Sequence, residues 1–323
     1  MNLEPNNPYV HIIKAYVIFR SCKKEYNCYE KALNEIDLAL SLNQNIAYAH
    51  YLKAEILSTM RFLSRIWRND GINISIDYAY ILNEIDTALS LDPNNPYYLI
   101  RKAETLLGSG RSNEAIKTCD YLISLDPNNV AYHLLKARTL ILMEAYSEAL
   151  KECDKAIDLD PNCVPCHKRK AEVLEKLGKY KEALEEYDTL IRLDPKKAYY
   201  HEKKAELLSK MHLEDEAIKQ LDKGIEVASS VRIKAFQYYE KAKLLAKSKK
   251  YSDALKELDK AISLEPNSEL YHRTKAELLI KLKRYEEALK ELDAAIACDT
   301  RNICAREEKI ELLIKLKRYN EAL

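Results

Sequence analysis

Several cysteine and histidine residues of this chain have the types and spacing of haem and metal ligands. The segment C-V-P-C-H at 163–167 has the spacing of covalent haem attachment, in which two thiols bond the porphyrin and the histidine ligates iron. Together with Cys153, the same segment also offers the ligand types of a zinc site. No export signal accompanies the haem motif, and a structural zinc site usually has paired short spacings on both sides. We therefore expect neither a metal nor a cofactor.

Motifs of other catalytic classes are incomplete. His201 and Glu202 begin like the helix of a zinc protease, but Ala205 stands where the second histidine is required. The G-S-G segment at 108–110 lacks the lysine of a phosphate-binding loop and is more typical of a turn between helices. Acidic pairs such as Glu185 and Glu186 are typical of solvated helix faces. The sequence therefore predicts that the protein is not an enzyme.

The charge balance narrows the class of partner. Lys and Arg number 52 and Asp and Glu 51, so the net charge of +1 gives no excess that would favour nucleic acid or acidic membranes. No signal peptide and no apolar run long enough to cross a bilayer is present, so we expect no membrane insertion. The eight cysteines have no framework spacing, which favours reduced, unpaired thiols and a cytoplasmic location. The expected partner is a protein or peptide.

The elements that must position these residues are helices arranged as a repeat. Five Gly and nine Pro leave little material for the turns of a sheet protein, which indicates an all-α fold. Four prolines lie 34 residues apart, each closing the phrase Leu-Asp-Pro: Pro93, Pro127, Pro161 and Pro195. A fixed period of this size is typical of one supersecondary unit stacked many times.

Each repeat is predicted to be a helical hairpin. Residues 130–163 and 164–197 superimpose without a gap, with Ala at the eighth and twentieth places and Tyr at the seventeenth. Apolar residues spaced three and four apart in each half predict two amphipathic helices of about a dozen residues. The small residues let the two backbones approach, and the closing proline ends the second helix.

This pattern resembles the tetratricopeptide repeat family, which has small residues at places eight and twenty, an aromatic near seventeen and proline at thirty-two. The resemblance implies an α-solenoid of antiparallel helix hairpins wound as a right-handed superhelix. It covers a single solenoid at 1–323, with repeats at 8–46, 47–95, 96–129, 130–163, 164–197, 198–234, 235–268 and 269–302 and a partial repeat at 303–323. Histidine recurs at the fourth place of six repeats. We therefore interpret His167 as a packing residue in preference to a ligand.

The second repeat carries an insertion at about 60–75. It holds the only tryptophan, Trp67, near three arginines, followed by Asp70 and Gly71. This composition predicts a helix extension followed by a loop. Either the insertion shapes a binding face or it is a surface loop.

The resemblance also implies where a partner binds, because the family's first helices line a concave face. In the N-terminal half the groove-facing places are aromatic and apolar, whereas in the C-terminal half they are charged. Either these tyrosines bind a partner or they pack on neighbouring helices. The family's carboxylate-holding asparagine at place nine is absent, which disfavours that co-chaperone activity. The predicted partner-binding residues are Tyr9, Tyr16, Tyr48, Tyr51, Tyr97, Arg101, Leu134 and Arg138.

A ladder of ion pairs is predicted between successive repeats. Lys occupies the seventh place of every repeat and Asp the twenty-fifth place of each complete one. If helices of adjacent repeats run antiparallel, each Asp faces the Lys of the following repeat. Each exposed pair contributes only about 0–1 kcal/mol and would mainly fix the register. The rungs include Asp86–Lys102, Asp120–Lys136 and Asp154–Lys170.

Three functions follow from these features. The first is a scaffold that binds a protein segment in the concave groove. The second is a structural protein that stacks head to tail into a filament through uncapped solenoid ends, since such ends expose apolar surface. The third is the recognition arm of a larger enzyme.

Overall fold

The computed structural model describes residues 6–69, 72, 75–299 and 303–322, and these residues form α-helices joined by turns and loops, without strands. The described helices fall into two compact units, residues 1–169 and 170–323. The predicted all-α class and α-solenoid architecture are confirmed. The repeat boundaries given above stay a prediction.

In unit 1, helices pack in consecutive pairs and each pair also packs on the next. Short loops join the helices of the pairs α1–α2, α5–α6 and α7–α8 and reverse the chain direction, which makes each of these pairs an antiparallel hairpin. The helix α9 begins in unit 1 and continues into unit 2. The helices are α1 (Pro8–Ser21), α2 (Tyr26–Leu42), α3 (Ala47–Asn69), α4 (Tyr78–Leu91), α5 (Pro96–Gly108), α6 (Ser112–Leu125), α7 (Val130–Leu142), α8 (Tyr146–Leu159) and α9 (Val164–Lys176).

Unit 2 repeats the same arrangement. Its first helices have 13 residues except for α13, which has 17 because it carries an additional turn at its N-terminus. The helices are α10 (Tyr180–Leu193), α11 (Ala198–Lys210), α12 (Glu214–Val227), α13 (Val231–Lys247), α14 (Tyr251–Leu264), α15 (Glu269–Lys281), α16 (Tyr285–Cys298), α17 (Ile303–Lys315) and α18 (Tyr319–Ala322).

Asparagine residues start several of the first helices. The side chains of Asn7, Asn95 and Asn129 accept a hydrogen bond from the backbone N–H two residues on, which satisfies a donor that the helix leaves open. Pro8 and Pro96 follow two of these caps, where a fixed φ suits the first helical residue.

Among the described turns within hairpins, all but the connection of α3 to α4 contain a residue in the left-handed conformation. Gly110 and Gly178 have φ of 81° and 72°, which glycine adopts without steric cost. In unit 1 the equivalent residue Glu144 has φ of 59° and is not a glycine. The N–H of Ala145 then bonds the Leu140 carbonyl at 2.9 Å, the long bond that closes a helix C-terminus of this kind. The other residues of this class are Lys24, His212, Lys249, Lys283 and Lys317.

Alanines hold the two helices of a hairpin together. Ala137 and Ala149 in unit 1, and Ala217 in unit 2, have no exposed surface, and Ala205 is 1% exposed. A larger side chain at these places would force the backbones apart in an interior that is packed to crystal-like density.

The insertion of the second repeat extends α3 and folds back on the preceding hairpin. Trp67 is 2% exposed, and its Nε1 donates to the Lys24 carbonyl at 2.5 Å. Its ring lies 5.4 Å from that of Tyr26 and 5.6 Å from that of Tyr29 between centroids. The helix extension is therefore anchored by aromatic packing. Asp70 and Gly71, predicted to begin a loop, lie outside the described residues.

Four of the cysteines form disulfide bonds, so the prediction of unpaired thiols is wrong at these positions. Cys22–Cys28 and Cys163–Cys166 have Cα separations of 5.6 and 5.3 Å, within the range a disulfide requires. Both pairs are brought together locally, by the loop between α1 and α2 and by the start of α9. The cytoplasmic expectation rested partly on unpaired thiols and loses that support.

The disulfide at 163–166 also removes the thiolates that a haem or zinc site would need from this segment. Among the described residues, no group of three or more His, Cys, Asp or Glu side chains is placed to hold a metal ion. No helix in the described ranges has the length and apolar character that crossing a bilayer requires.

Candidate partner-binding surfaces

Exposed tyrosines lie on the first helices of unit 1. Tyr97 is 69% exposed and Tyr9 60%, while Tyr16 and Tyr48 are 44% and 41% exposed. Large apolar side chains accompany them, with Ile13 63% exposed. Tyrosine offers a rigid, wide contact area at a low conformational cost, which is the property of residues that dominate binding energy.

Tyr51 belongs to a stack rather than standing free. Its ring lies 4.9 Å from that of Tyr98 in a stacked arrangement and 6.1 Å from that of Tyr48. Burial raises the pKa of the Tyr51 hydroxyl, and a hydrogen bond with Glu55 raises it further. The stack therefore makes Tyr51 partly structural, whereas most of Tyr97 is exposed to solvent.

Arg101 is engaged by carboxylates. Its Nε donates to Glu55 Oε1 at 2.5 Å and its Nη1 to Glu104 Oε2 at 3.2 Å. A guanidinium held in this way is oriented in advance, and its remaining N–H groups can donate to a partner's carbonyl or carboxylate oxygen. Arg138 reaches Glu104 only weakly, at 3.9 Å, and half of its side chain is exposed.

Leu134 and Arg138 line a shallow hollow of about 330 Å³ on unit 1. Its other walls include Ile100, Leu135 and Pro165. An apolar floor with an arginine at its edge suits one bulky apolar side chain that is flanked by polar or acidic groups.

The extension of α3 borders a larger cavity of about 700 Å³. Phe62, which is 80% exposed, and Arg68 lie on its α3 wall. Arg61 packs over the Tyr78 ring at 3.7 Å from the centroid and is fixed by that contact. The insertion therefore adds surface next to Arg101.

The Lys and Asp residues of successive repeats lie in contact. In unit 1, Lys102 Nζ is 2.8 Å from Asp86 Oδ1, and Lys136 Nζ is 2.8 Å from Asp120 Oδ1. The aspartates are about half exposed, so the pairs are screened by solvent. Asp154 belongs to unit 1 and Lys170 to unit 2, and the Asp154–Lys170 pair stays a prediction. Further pairs are Asp37–Lys53, Asp188–Lys204, Asp222–Lys241, Asp259–Lys275 and Asp293–Lys309.

A second partner of the ladder lysines was missed by the sequence reasoning. Lys136 also contacts the buried Glu152 at 3.1 Å, and Glu152 in turn contacts His133 Nδ1 at 2.7 Å. Burial acts to raise the pKa of Glu152, but hydrogen bonds from His133, Lys155 and Lys136 outweigh it, so that pKa is lowered. The sequence contained a signal for this contact, because several repeats have a histidine at place four and an acidic residue at place twenty-three.

The spacing of these histidine–acid pairs follows the insertions. His133 and Glu152 are 19 residues apart, whereas His11 and Glu35 are 24 apart and His50 and Glu84 34 apart. The differences of 5 and 15 residues equal the excess of the repeats at 8–46 and 47–95 over 34 residues. The third repeat has Leu99 and Thr118 at the two places, so both members of the pair are replaced together.

In unit 2, the surface of the first helices is charged, in keeping with the composition of its groove-facing places. A cavity of about 450 Å³ is lined by three glutamates and three lysines. Lys203 Nζ binds Glu206 Oε2 at 2.8 Å, and Lys243 Nζ binds Glu240 Oε1 at 3.0 Å. Because these charges already pair with one another, a partner would have to displace existing ion pairs.

The fold defines an α-solenoid repeat protein. Models of the tetratricopeptide repeat match residues 77–139, 168–227 and 245–303, which together make up more than half of the chain. A model of the anaphase-promoting complex, cyclosome, subunit 3, matches residues 109–190. The chain belongs to the tetratricopeptide repeat family, whose repeats form protein-interaction scaffolds.

Solved structures share the fold at low identity. A tetratricopeptide repeat protein from Parabacteroides merdae is 18% identical, with a TM-score of 0.53 over 84% of this chain and 98% of that one. Yeast Tom70 is 21% identical, with a TM-score of 0.52 over 98% of this chain and 65% of that one. The C-terminal part of a repeat protein from Cytophaga hutchinsonii is 17% identical, with a TM-score of 0.56 over 69% and 88%. No curated protein matches the chain.

Proposed function

We propose that unit 1 binds an extended segment of another protein along its first helices, with tyrosines as the main contacts. The single observation that carries the proposal is the exposure of Tyr9 and Tyr97, 60% and 69%, on helices whose opposite faces are packed in the core. An unpacked aromatic ring leaves apolar area in water, and a partner that covers it gains about 25 cal/mol per Å² buried.

The groups next to the tyrosines determine in which order a bound segment would meet the contacts of the proposed site. The carboxylates of Glu55 and Glu104 orient Arg101, and the hollow beside Leu134 accepts an apolar side chain. A segment that lies across α1, α3, α5 and α7 would meet tyrosine rings first and then the hollow. The proposal includes binding and no catalytic step.

The test is selection of a peptide ligand on the intact chain, followed by titration against variants. Peptides from a displayed random library that bind the wild-type protein are synthesised, and their Kd is measured by fluorescence anisotropy. Tyr9→Ala and Tyr97→Ala are each expected to weaken binding by about 1–2 kcal/mol, since interface aromatics are frequent hot spots.

Tyr121→Ala is the matched control, because Tyr121 is 43% exposed but lies on the second helix α6. It is expected to leave the Kd unchanged. If the tyrosine variants on α1 and α5 bind the selected peptides as tightly as wild type does, unit 1 does not use this surface.

A second candidate function is self-association, which the apolar surface of α17 and α18 favours. Ile303 is 66% exposed, Ile314 49% and Tyr319 56%. Light scattering against protein concentration tests it: a filament former grows in mass with concentration, and Ile314→Asp should suppress that growth. A constant monomer mass over the whole range rejects the candidate.

A further inference from the structure

A cleft of about 560 Å³ lies in unit 2 and is lined by residues that the unit 1 proposal does not use. It opens between the N-terminal ends of α11, α13 and α15. The additional turn of α13 builds one wall, because its residues Arg232 and Ile233 project beyond the point where the other first helices begin. Ser230 caps this turn by accepting a hydrogen bond from the N–H of Ile233 at 3.2 Å. The wall is thus a fixed helical element.

The floor of the cleft is apolar and aromatic. Phe236 and Tyr271 line it, and the Tyr271 ring is 5.2 Å from that of Tyr239; both tyrosines are buried. Ile233 and Leu270 line the opening and remain 38% and 37% exposed. A concave surface of this kind buries a bulky apolar side chain well, because several walls contact it at once.

The rim of the cleft carries cations without carboxylate partners. Lys196 and Lys197 are exposed, and neither forms an ion pair with a residue in the described part of the chain. The two carboxylates of the lining are already occupied. Glu265 accepts from the Tyr271 hydroxyl at 3.3 Å and lies 4.0 Å from Arg232, and Glu202 accepts from Gln237 at 3.0 Å.

We propose that this cleft binds an acidic peptide segment that carries one bulky apolar side chain. The apolar side chain enters between Ile233 and Leu270 and rests on Phe236. Carboxylates on either side of it pair with Lys196 and Lys197. The charge balance of the rim selects acidic flanks, because a basic segment would meet the two lysines and Arg232 at close range.

The test uses a defined peptide and a signal located in the cleft. The probe is the peptide Asp-Asp-Leu-Phe-Asp-Asp, acetylated and amidated, and the readout is the NMR spectrum of the full chain labelled at isoleucine methyl groups. The methyl signal of Ile233 reports on the cleft, and that of Ile13 reports on the unit 1 surface. Each signal is assigned by an Ile→Val variant. We expect the probe to shift the Ile233 signal and leave the Ile13 signal in place.

The variant Lys196→Glu/Lys197→Glu is expected to weaken the affinity for the probe peptide at least fivefold. Lys181→Glu/Lys219→Glu makes the same change in net charge on exposed residues of the second helices and should leave it within twofold of wild type. An unmoved Ile233 signal overturns the proposal, and so does an equal response to Lys-Lys-Leu-Phe-Lys-Lys. So does an unchanged affinity in the first variant. Because the readouts are separate, failure here is distinguishable from failure of the unit 1 proposal.

Discussion

Replacing Glu144 by glycine should stabilise the protein, although it removes a side chain. Glu144 occupies the left-handed turn between α7 and α8 with φ of 59°. The equivalent places in the hairpins before and after it are Gly110 and Gly178, for which a Cβ would meet nothing within 4 Å. The cost of a side chain at this place is therefore a backbone cost and not a steric clash with neighbours.

The magnitude follows from two opposing terms. A left-handed conformation costs an L-residue about 1–2 kcal/mol. Glycine loses more backbone entropy on folding, which costs about 0.5–1 kcal/mol relative to alanine. The first term exceeds the second, so Glu144→Gly should raise the free energy of unfolding by about 0.5–1 kcal/mol.

Urea denaturation followed by circular dichroism measures the effect. The control is Lys151→Gly, an exposed position within α8, where glycine should instead cost about 1 kcal/mol. Lys283→Gly, at the corresponding turn of unit 2 with φ of 60°, should repeat the gain. If Glu144→Gly destabilises the chain as much as Lys151→Gly does, the backbone argument is wrong.

The remaining predictions concern buried charge. Lys136→Met should lower the free energy of unfolding in urea by about 1–3 kcal/mol, because it removes a donor from the buried Glu152. Lys102→Met breaks only a half-exposed pair and should lower that free energy by at most about 1 kcal/mol. Equal losses in the two variants would refute the role of Glu152. The hydrogen bond to Glu291 raises the pKa of His272 against the effect of burial. The protonated His272 therefore stabilises the folded state fully below its unfolded pKa of 6.5, and this stabilisation is lost as the pH rises through the folded pKa. Burial lowers the pKa of His201, so its contribution is present above 6.5 and lost as pH falls. NMR titration of the two imidazoles should show these opposite shifts, and a common pKa would contradict them.

The fold was predictable from the sequence because its cause is local. The interval between Pro93 and Pro127, and the alanines at places eight and twenty, report on one hairpin at a time. Stacking identical hairpins then repeats the same packing, so the all-α solenoid follows without knowledge of distant contacts. The Lys and Asp contacts were foreseeable for the same reason, since both residues recur in every complete repeat.

The surfaces were predictable only in part, because burial depends on which helix packs against a given ring. Tyr97 and Tyr51 occupy the same kind of groove-facing surface in the sequence pattern, yet Tyr97 is mostly exposed and Tyr51 stacks on Tyr98. The cleft of unit 2 was also hidden. The repeat at 198–234 is three residues longer than 34, but that excess does not reveal that residues near Ile233 form a helical turn and a wall.

The sequence alone determined the repeating unit, its helices and the recurrence of charge, since periodic side chains act through neighbours one helical turn or one repeat away. Only the tertiary structure decided which histidine meets which acid and where a cleft opens. Those outcomes depend on distances between helices, as the contact between His133 and Glu152 illustrates. A residue pattern specifies the helices, but contacts across them are fixed only when the helices pack.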